Sequence, residues 1–350
     1  MTALLIILVA ALLGITIWQI SKIFKLSQPI ESDDSQIANN KDNQKQGKMF
    51  LVFTVFLYGL MIYSFWELSK FYAPGASAHS EDYDQLFFIS LGLIMFVQVI
   101  IQFLIHWFAY KYRGKEGQKA LFYADNDKLE FIWTIIPVIT LAALIIYGLF
   151  SWSEIMNVEE TDDTLVVEIY AYQFDWRARY SGEDGTLGEA NVRFIEGVNQ
   201  LGLNESDSYA KDDIITTELH LPVDRPVLFK FRSQDVLHSA YFPFFRSQMN
   251  VVPGMTTQFG FTPTTTSKEI RNSEYMIEKV RNINEIRKNN DNLGPDEKSY
   301  EFEYYLLCNK ICGVSHYNMQ MKIVVETEEE YQKWINEQQT FGELTAQSQN

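Results

Sequence analysis

Four stretches of the chain, residues 1–21, 49–66, 85–110 and 131–153, contain no Asp, Glu, Lys or Arg and are dominated by Leu, Ile, Phe and Val. Each reaches the roughly 17–25 residues that carry an α-helix across a bilayer, so the pattern predicts four transmembrane helices. Four buried-core helices would need far more amphipathic sequence around them than residues 1–153 supply. The first stretch has no Lys or Arg at its amino end and no small-residue cleavage site in Ile15–Ile20. Those absences favour a retained helix over a signal peptide.

Past residue 153 the rhythm changes to the two-residue alternation of strands. Segments 163–170, 172–180, 215–221, 226–232, 255–262, 301–307 and 319–326 read this way and predict an all-β sandwich. Two segments break the rhythm and read as surface insertions: 181–213, rich in Gly, Asn, Asp and Ser, and 267–299, with helical composition and heavy charge. Residues 328–337 predict a closing amphipathic helix with Tyr331, Trp334 and Ile335 on one face. Residues 339–350 read as a loose tail. The expected organisation is thus two helices in 1–66, a helical hairpin in 85–153, a sandwich in 154–338 and a tail.

Charge orients this plan. Lys22, Lys25, Lys41, Lys45 and Lys48 fill the first loop, and Lys111, Arg113, Lys115, Lys119 and Lys128 the third, against Lys70 alone in the second. Basic loops stay cytoplasmic, which puts the N-terminus and the β-domain outside, in the periplasm of a bacterial inner (plasma) membrane. Residues 22–48 are then a flexible cytoplasmic linker. Residues 152–350 carry 33 Asp and Glu against 18 Lys and Arg. That acidity disfavours nucleic acid and suits a basic protein partner, although it also serves solubility.

The candidate chemistry lies in Cys308-Asn-Lys-Ile-Cys312-Gly-Val-Ser-His316-Tyr-Asn-Met319, which holds both cysteines of the chain. Thiolates and a thioether beside imidazole form a donor set that copper selects. The spacing does not fit the paired elements of a zinc ribbon. A mononuclear copper site needs one thiolate, whereas two on one loop can bridge two metal ions. A short-loop Cys308–Cys312 disulfide is the bland alternative. Of five histidines, His79 lies in a loop, His106 in a membrane span and His220 at a strand end, leaving His238 in Asp235-Val-Leu-His-Ser239 as the best-placed outside ligand. Glu130, opening the fourth span ahead of Pro137, is an ionisable group at the membrane boundary, where carboxylates either sit among headgroups or mark proton paths. No Ser-His-Asp set, phosphate-binding glycine loop or hydrolytic carboxylate pair is evident.

The Cys308–Met319 loop, Asp235–Ser239, the Val252-Pro-Gly254 turn and Leu129-Glu-Phe-Ile-Trp-Thr-Ile-Ile-Pro137 together resemble subunit II of the haem-copper cytochrome c oxidases over about residues 85–335. The resemblance implies a cupredoxin-like sandwich holding two copper ions. Cys308 and Cys312 would bridge them, His238 and His316 bind one each, Met319 act as a weak ligand, and the Lys310 backbone carbonyl complete the set. It implies partnership with the haem-copper catalytic subunit I and further oxidase subunits, and a cytochrome c or cytochrome domain as donor. It also implies electron acceptance near Phe174 and Trp176, docking near Asp235, and a proton-channel mouth at Glu130. Lys310 stands where the family commonly has Glu, so the interfacial magnesium loses that carboxylate. Asn250, Met255 and Gln248 replace the usual Asp, Arg and Lys, and Phe174 replaces a Trp. Residues 1–66 add two helices to the family's usual two. A quinol-oxidase subunit with a purely structural sandwich is opposed by the two cysteines. A copper domain like that of nitrous oxide reductase is opposed by the four spans.

Overall fold

This computed structural model describes residues 2–26, 39–69, 72–119, 121–157, 161–290, 292–294, 297 and 299–348. Among these, four long helices come first: α1 (Thr2–Leu26), α2 (Asn40–Ser69), α3 (Ser80–Lys111) and α4 (Asp127–Met156). The last three are long and apolar enough to cross a membrane, and the described apolar part of α1 is Ala11–Ile23. Side chains such as Ile94, Phe96, Ile139 and Phe150 point outward with more than 60% of their surface exposed. Helices apolar all round belong in lipid.

The helices overrun the apolar stretches. α2 begins at Asn40 because the Asn39 side chain caps it, accepting from the backbone N–H of Lys41 and of Asp42, each at 3.0 Å. The second half of the expected linker is therefore helical, while residues 27–38 of it lie outside the described residues. The chain forms two compact units, residues 1–69 with 95–126, and 70–94 with 127–350. Within the first, α2 and α3 are joined by a buried hydrogen bond between Thr54 Oγ1 and His106 Nδ1 at 2.7 Å. Polar bonds of this kind hold helices together where lipid offers no hydrophobic drive.

Among the described residues of the second unit, ten strands form two sheets. They are β1 (Leu165–Tyr172), β2 (Asp175–Tyr180), β3 (Ile214–Thr216), β4 (Leu219–Pro222), β5 (Val227–Ser233), β6 (His238–Phe242), β7 (Ser247–Val251), β8 (Thr257–Phe261), β9 (Tyr304–Cys308) and β10 (Gln320–Glu326). One sheet runs β3-β2-β1-β5-β8 and the other β4-β10-β9-β6-β7. Ile169, Trp176, Phe229 and Phe231 from the first meet Leu221, Phe242, Leu306 and Ile323 from the second in one apolar core. The membrane helices and the all-β sandwich are thus the architecture expected. The segment read as one strand over 215–221 is two, because the chain turns at Thr217-Glu218 and changes sheet, with Thr216 Oγ1 donating to the Glu218 carbonyl at 2.7 Å. β6 and β7 were not foreseen. β6 is buried at four of its five positions, so it shows no alternation.

The described parts of both insertions are folded against the sandwich. In 267–299, α5 (Ser267–Arg271) is opened by a Thr266/Glu269 capping box and α6 (Glu274–Lys288) by Ser273, and Ile270 and Met276 enter the core. The other insertion covers a buried charge cluster. Glu168 on β1 receives Arg232 Nε at 2.6 Å and Arg179 Nε at 2.7 Å, and Arg179 Nη1 also meets Asp213 Oδ2 at 3.1 Å. Arg179 donates to the Gly188 carbonyl and Arg232 to that of Leu201, so the cluster pins residues 188–201 onto the sheet.

α7 (Glu328–Asn336) matches the expected closing helix, and Trp334 stacks on His220 with ring centroids 3.8 Å apart. The expected loose tail is instead α8 (Phe341–Ser348). Phe341 is buried among Tyr170, Leu201, Leu203 and Ala210, and that burial supplies the energy to order the segment.

Candidate metal centre

The strand ladder assembles the candidate donor set. β6 pairs with β9 with Ala240 opposite Cys308, which brings the first residue of β6, His238, beside the last of β9. The Cys308 N–H donates to the Met319 carbonyl and the Asn309 N–H to that of Ser239, each at 3.0 Å, closing the loop back onto β6 and β10. Cys308 Sγ then lies 3.9 Å from His238 Nδ1, 3.8 Å from Cys312 Sγ and 3.2 Å from the Lys310 carbonyl oxygen. Cys312 Sγ lies 3.7 Å from both His316 Nδ1 and Met319 Sδ. Among the described residues, the only group of three or more His, Cys, Asp or Glu whose donor atoms gather closely enough to hold a metal is His238, Cys308 and Cys312, all within 4.8 Å.

Surrounding groups aim these donors. Asp235 Oδ1 accepts from His238 Nε2 at 2.9 Å, which turns Nδ1 toward the sulfurs. Asp235 also accepts from the backbone N–H of Val236 at 2.7 Å and of Gln173 at 2.8 Å. Burial opposes ionisation of both thiols, yet hydrogen bonding to His238 and to the Ser239 and Lys310 backbone holds Cys308 below the usual thiol range. Burial and the neighbouring Cys308 charge push Cys312 up. Two thiolates this close repel, and a cation between them relieves that repulsion. Soft sulfurs, imidazole nitrogens, a thioether and a carbonyl fit copper in kind and in placement.

The hairpin tip between β1 and β2 braces the loop from outside, a feature the sequence reading missed. Gln173 Nε2 donates to the Cys312 carbonyl at 2.6 Å, so one residue ties together Asp235 and the ligand loop. The only local hint was a polar Gln among aromatic residues. Phe174 lies over Gly313, where an added Cβ would sit 2.7 Å from the ring, and Gly313 has φ +147. Any side chain there would collide and strain the backbone. Trp176 is fully buried and meets His238 edge-on, ring centroids 6.0 Å apart. Lys310 turns its side chain to solvent, and Glu130 lies exposed in the first turn of α4, away from the ligand loop in sequence and in element.

A family model described as cytochrome c oxidase subunit II, transmembrane domain, matches residues 64–151. The alternative cytochrome c oxidase subunit 2 of Bradyrhizobium diazoefficiens is 31% identical over 262 residues, 74% of this chain and 81% of that protein. Cytochrome c oxidase subunit 2 of Cereibacter sphaeroides is 22% identical over 76% of this chain and 79% of its own length. Quinol oxidase subunit 2 of Bacillus subtilis is 27% identical over 50% of this chain and 48% of its own. With its membrane helices, its two-sheet domain and this likeness across most of a relative's length, the chain belongs to the cytochrome c oxidase subunit II family.

Proposed function

We propose that this chain is the electron-accepting subunit of a respiratory cytochrome c oxidase. It takes electrons from a periplasmic cytochrome c at a dinuclear copper centre. It passes them to the haem-copper catalytic subunit, which reduces oxygen to water with proton translocation. The observation that carries this reading is the convergence of Cys308, Cys312, His238, His316, Met319 and the Lys310 carbonyl at 3.2–3.9 Å. Cys308 and Cys312 would bridge the ions, His238 and His316 would each hold one, and Met319 and the Lys310 carbonyl would complete the shells. When bound, the pair supplies a one-electron relay whose charge is spread over two metals and two sulfurs.

The remaining roles are those that the family resemblance implies. Asp235 orients His238 and contributes to an acidic docking surface for a basic cytochrome. Phe174, against Gly313, and Trp176, against His238, are the aromatic route by which electrons reach the ligand loop. Glu130, in the first turn of α4, is the carboxylate at the mouth of a proton channel. Lys310 supplies only its carbonyl, leaving an interfacial magnesium without that side chain.

Copper loading of the detergent-solubilised full chain, followed by electron paramagnetic resonance, tests the reading. The expected spectrum is the hyperfine pattern of one unpaired electron shared by two copper nuclei, abolished by Cys308→Ser. A chain that stays copper-free and colourless would support the quinol-oxidase alternative.

A further inference from the structure

Arg246 is one of two non-glycine residues with a left-handed backbone among the described residues, at φ 50 and ψ 36. A residue with a Cβ is held there only when its surroundings over-determine it. Here the side chain does so. Nε and Nη2 grip both oxygens of Asp84 at 2.8 and 3.1 Å, Nη2 also donates to the Ala73 carbonyl at 2.6 Å, and Nη1 donates to that of Pro243 at 3.0 Å. The guanidinium lies 5.2 Å from the Tyr72 ring centroid, and the side chain is 11% exposed. A bidentate, largely buried pair of this kind fixes direction as well as distance.

The two ends of this contact are functionally unequal. Asp84 stands in α3, near its first turn, at the head of a membrane span. Arg246 follows the turn Pro243–Phe245 that ends β6, and the other end of β6 is His238. β6 is hydrogen-bonded on both sides, to β7 and to β9, and is therefore a stiff strut. Two further bonds join the same parts, Ala76 N–H to the Phe244 carbonyl at 2.7 Å and Ser77 Oγ to that of Phe245 at 2.9 Å. Those bonds, with Ala78 N–H to the Thr262 carbonyl at 3.0 Å and Thr264 N–H to the Ala76 carbonyl at 2.9 Å, attach the segment ahead of α3 to the β-domain, whereas the Arg246–Asp84 pair reaches into α3 itself.

We propose that Arg246, through Asp84, is a positioning residue for electron transfer: it locks the ligand-bearing strand β6 to the head of α3 and so sets the gap between the copper ligands and the acceptor in the catalytic subunit. This rests on the electron-transfer reading above. Electron tunnelling falls steeply with distance, so a small tilt of β6 slows transfer without disturbing the ligands.

The test uses the assembled oxidase carrying Arg246→Gln or, separately, Asp84→Asn, which lies outside the β-domain strands. The copper resonance spectrum, the KM for cytochrome c and the rate of electron transfer from copper to the first haem after photoinjection are measured. Both variants should keep the parental spectrum and KM while the internal rate falls severalfold, and Arg246→Lys should recover part of it. An unchanged internal rate in both assembled variants overturns the proposal. So does a changed copper spectrum, which would place the effect on the ligands, or failure of both variants to assemble, which would make the contact one of assembly. Absence of the copper signal from the parental complex would instead overturn the electron-transfer reading itself.

Discussion

Around Glu168 the fold surrounds a buried carboxylate with two guanidinium groups, whereas around Cys308 it gathers sulfurs, imidazole nitrogens and a carbonyl oxygen, all of them lone-pair donors. Burial pushes the Glu168 carboxyl up, but Arg179 and Arg232 outweigh it and hold the group below the usual carboxylate range. The first constellation is neutralised by the chain itself and serves to pin an insertion. The second, on the proposed function, is completed by a cation from outside. Buried polarity satisfied from within thus reads as architecture, and buried polarity aimed at a common point reads as a binding site.

Breaking the first constellation should have the largest effect. Glu168→Gln leaves the Arg232 guanidinium without its carboxylate and Arg179 with Asp213 alone, and loss of one partner of a buried pair costs about 3–5 kcal/mol. Chemical denaturation of the β-domain should register this loss, while copper affinity in the surviving folded fraction stays at the parental value. A fall in affinity would show that the two constellations are not independent.

Asp235→Asn attacks the second one from its edge. It weakens the bond that orients His238 while leaving every proposed metal ligand in place. Removal of such an orienting partner lowers metal affinity by about 10–100-fold. Competition with a copper chelator should show that drop with little change in the denaturation midpoint, the reverse of the pattern for Glu168→Gln.

The smallest effect concerns Asp213, which burial pushes up to about 7 against the pull of Arg179. Its folded-state value lies above its unfolded one, so the protonated form favours folding. That contribution is fully present below the unfolded value and is lost as pH rises through about 7. Between slightly acidic and slightly alkaline solution the β-domain should lose about 1 kcal/mol of stability. Asp213→Asn should flatten that slope in denaturation curves recorded across the range. An unchanged slope would mean that another group titrates there.

How far the sequence reveals these regions depends on how far apart their parts lie along the chain. The soft donors of residues 308–319 could be singled out because they crowd one loop, and the membrane helices because apolar runs need no partner to be recognised. His238 was chosen among five histidines by its place in a motif, and the ladder brings it to Cys308. Gln173 could not be chosen, since the carbonyl it holds lies 139 residues away. The charge cluster was equally hidden, because Glu168 and Arg179 alternate with apolar neighbours and read as solvent-facing positions. Burial beneath the insertion reverses that reading, and nothing local announces the insertion's fold.

The C-terminal segment that orders itself around Phe341 also closes a sheet edge. β3 is the outer strand of its sheet, and its first residue, Ile214, bridges to Thr340, while the N–H groups of Phe341 and Gly342 donate to the carbonyls of Asp213 and Lys211 at 2.7 and 2.8 Å. A soluble fragment cut at residue 338, the boundary that composition suggests, would uncover those carbonyls together with the apolar surface under Phe341. Unpaired strand edges recruit one another. The shortest fragment that remains monodisperse is therefore one that keeps α8, even though no proposed ligand, strand or membrane helix lies beyond residue 338 among the described residues.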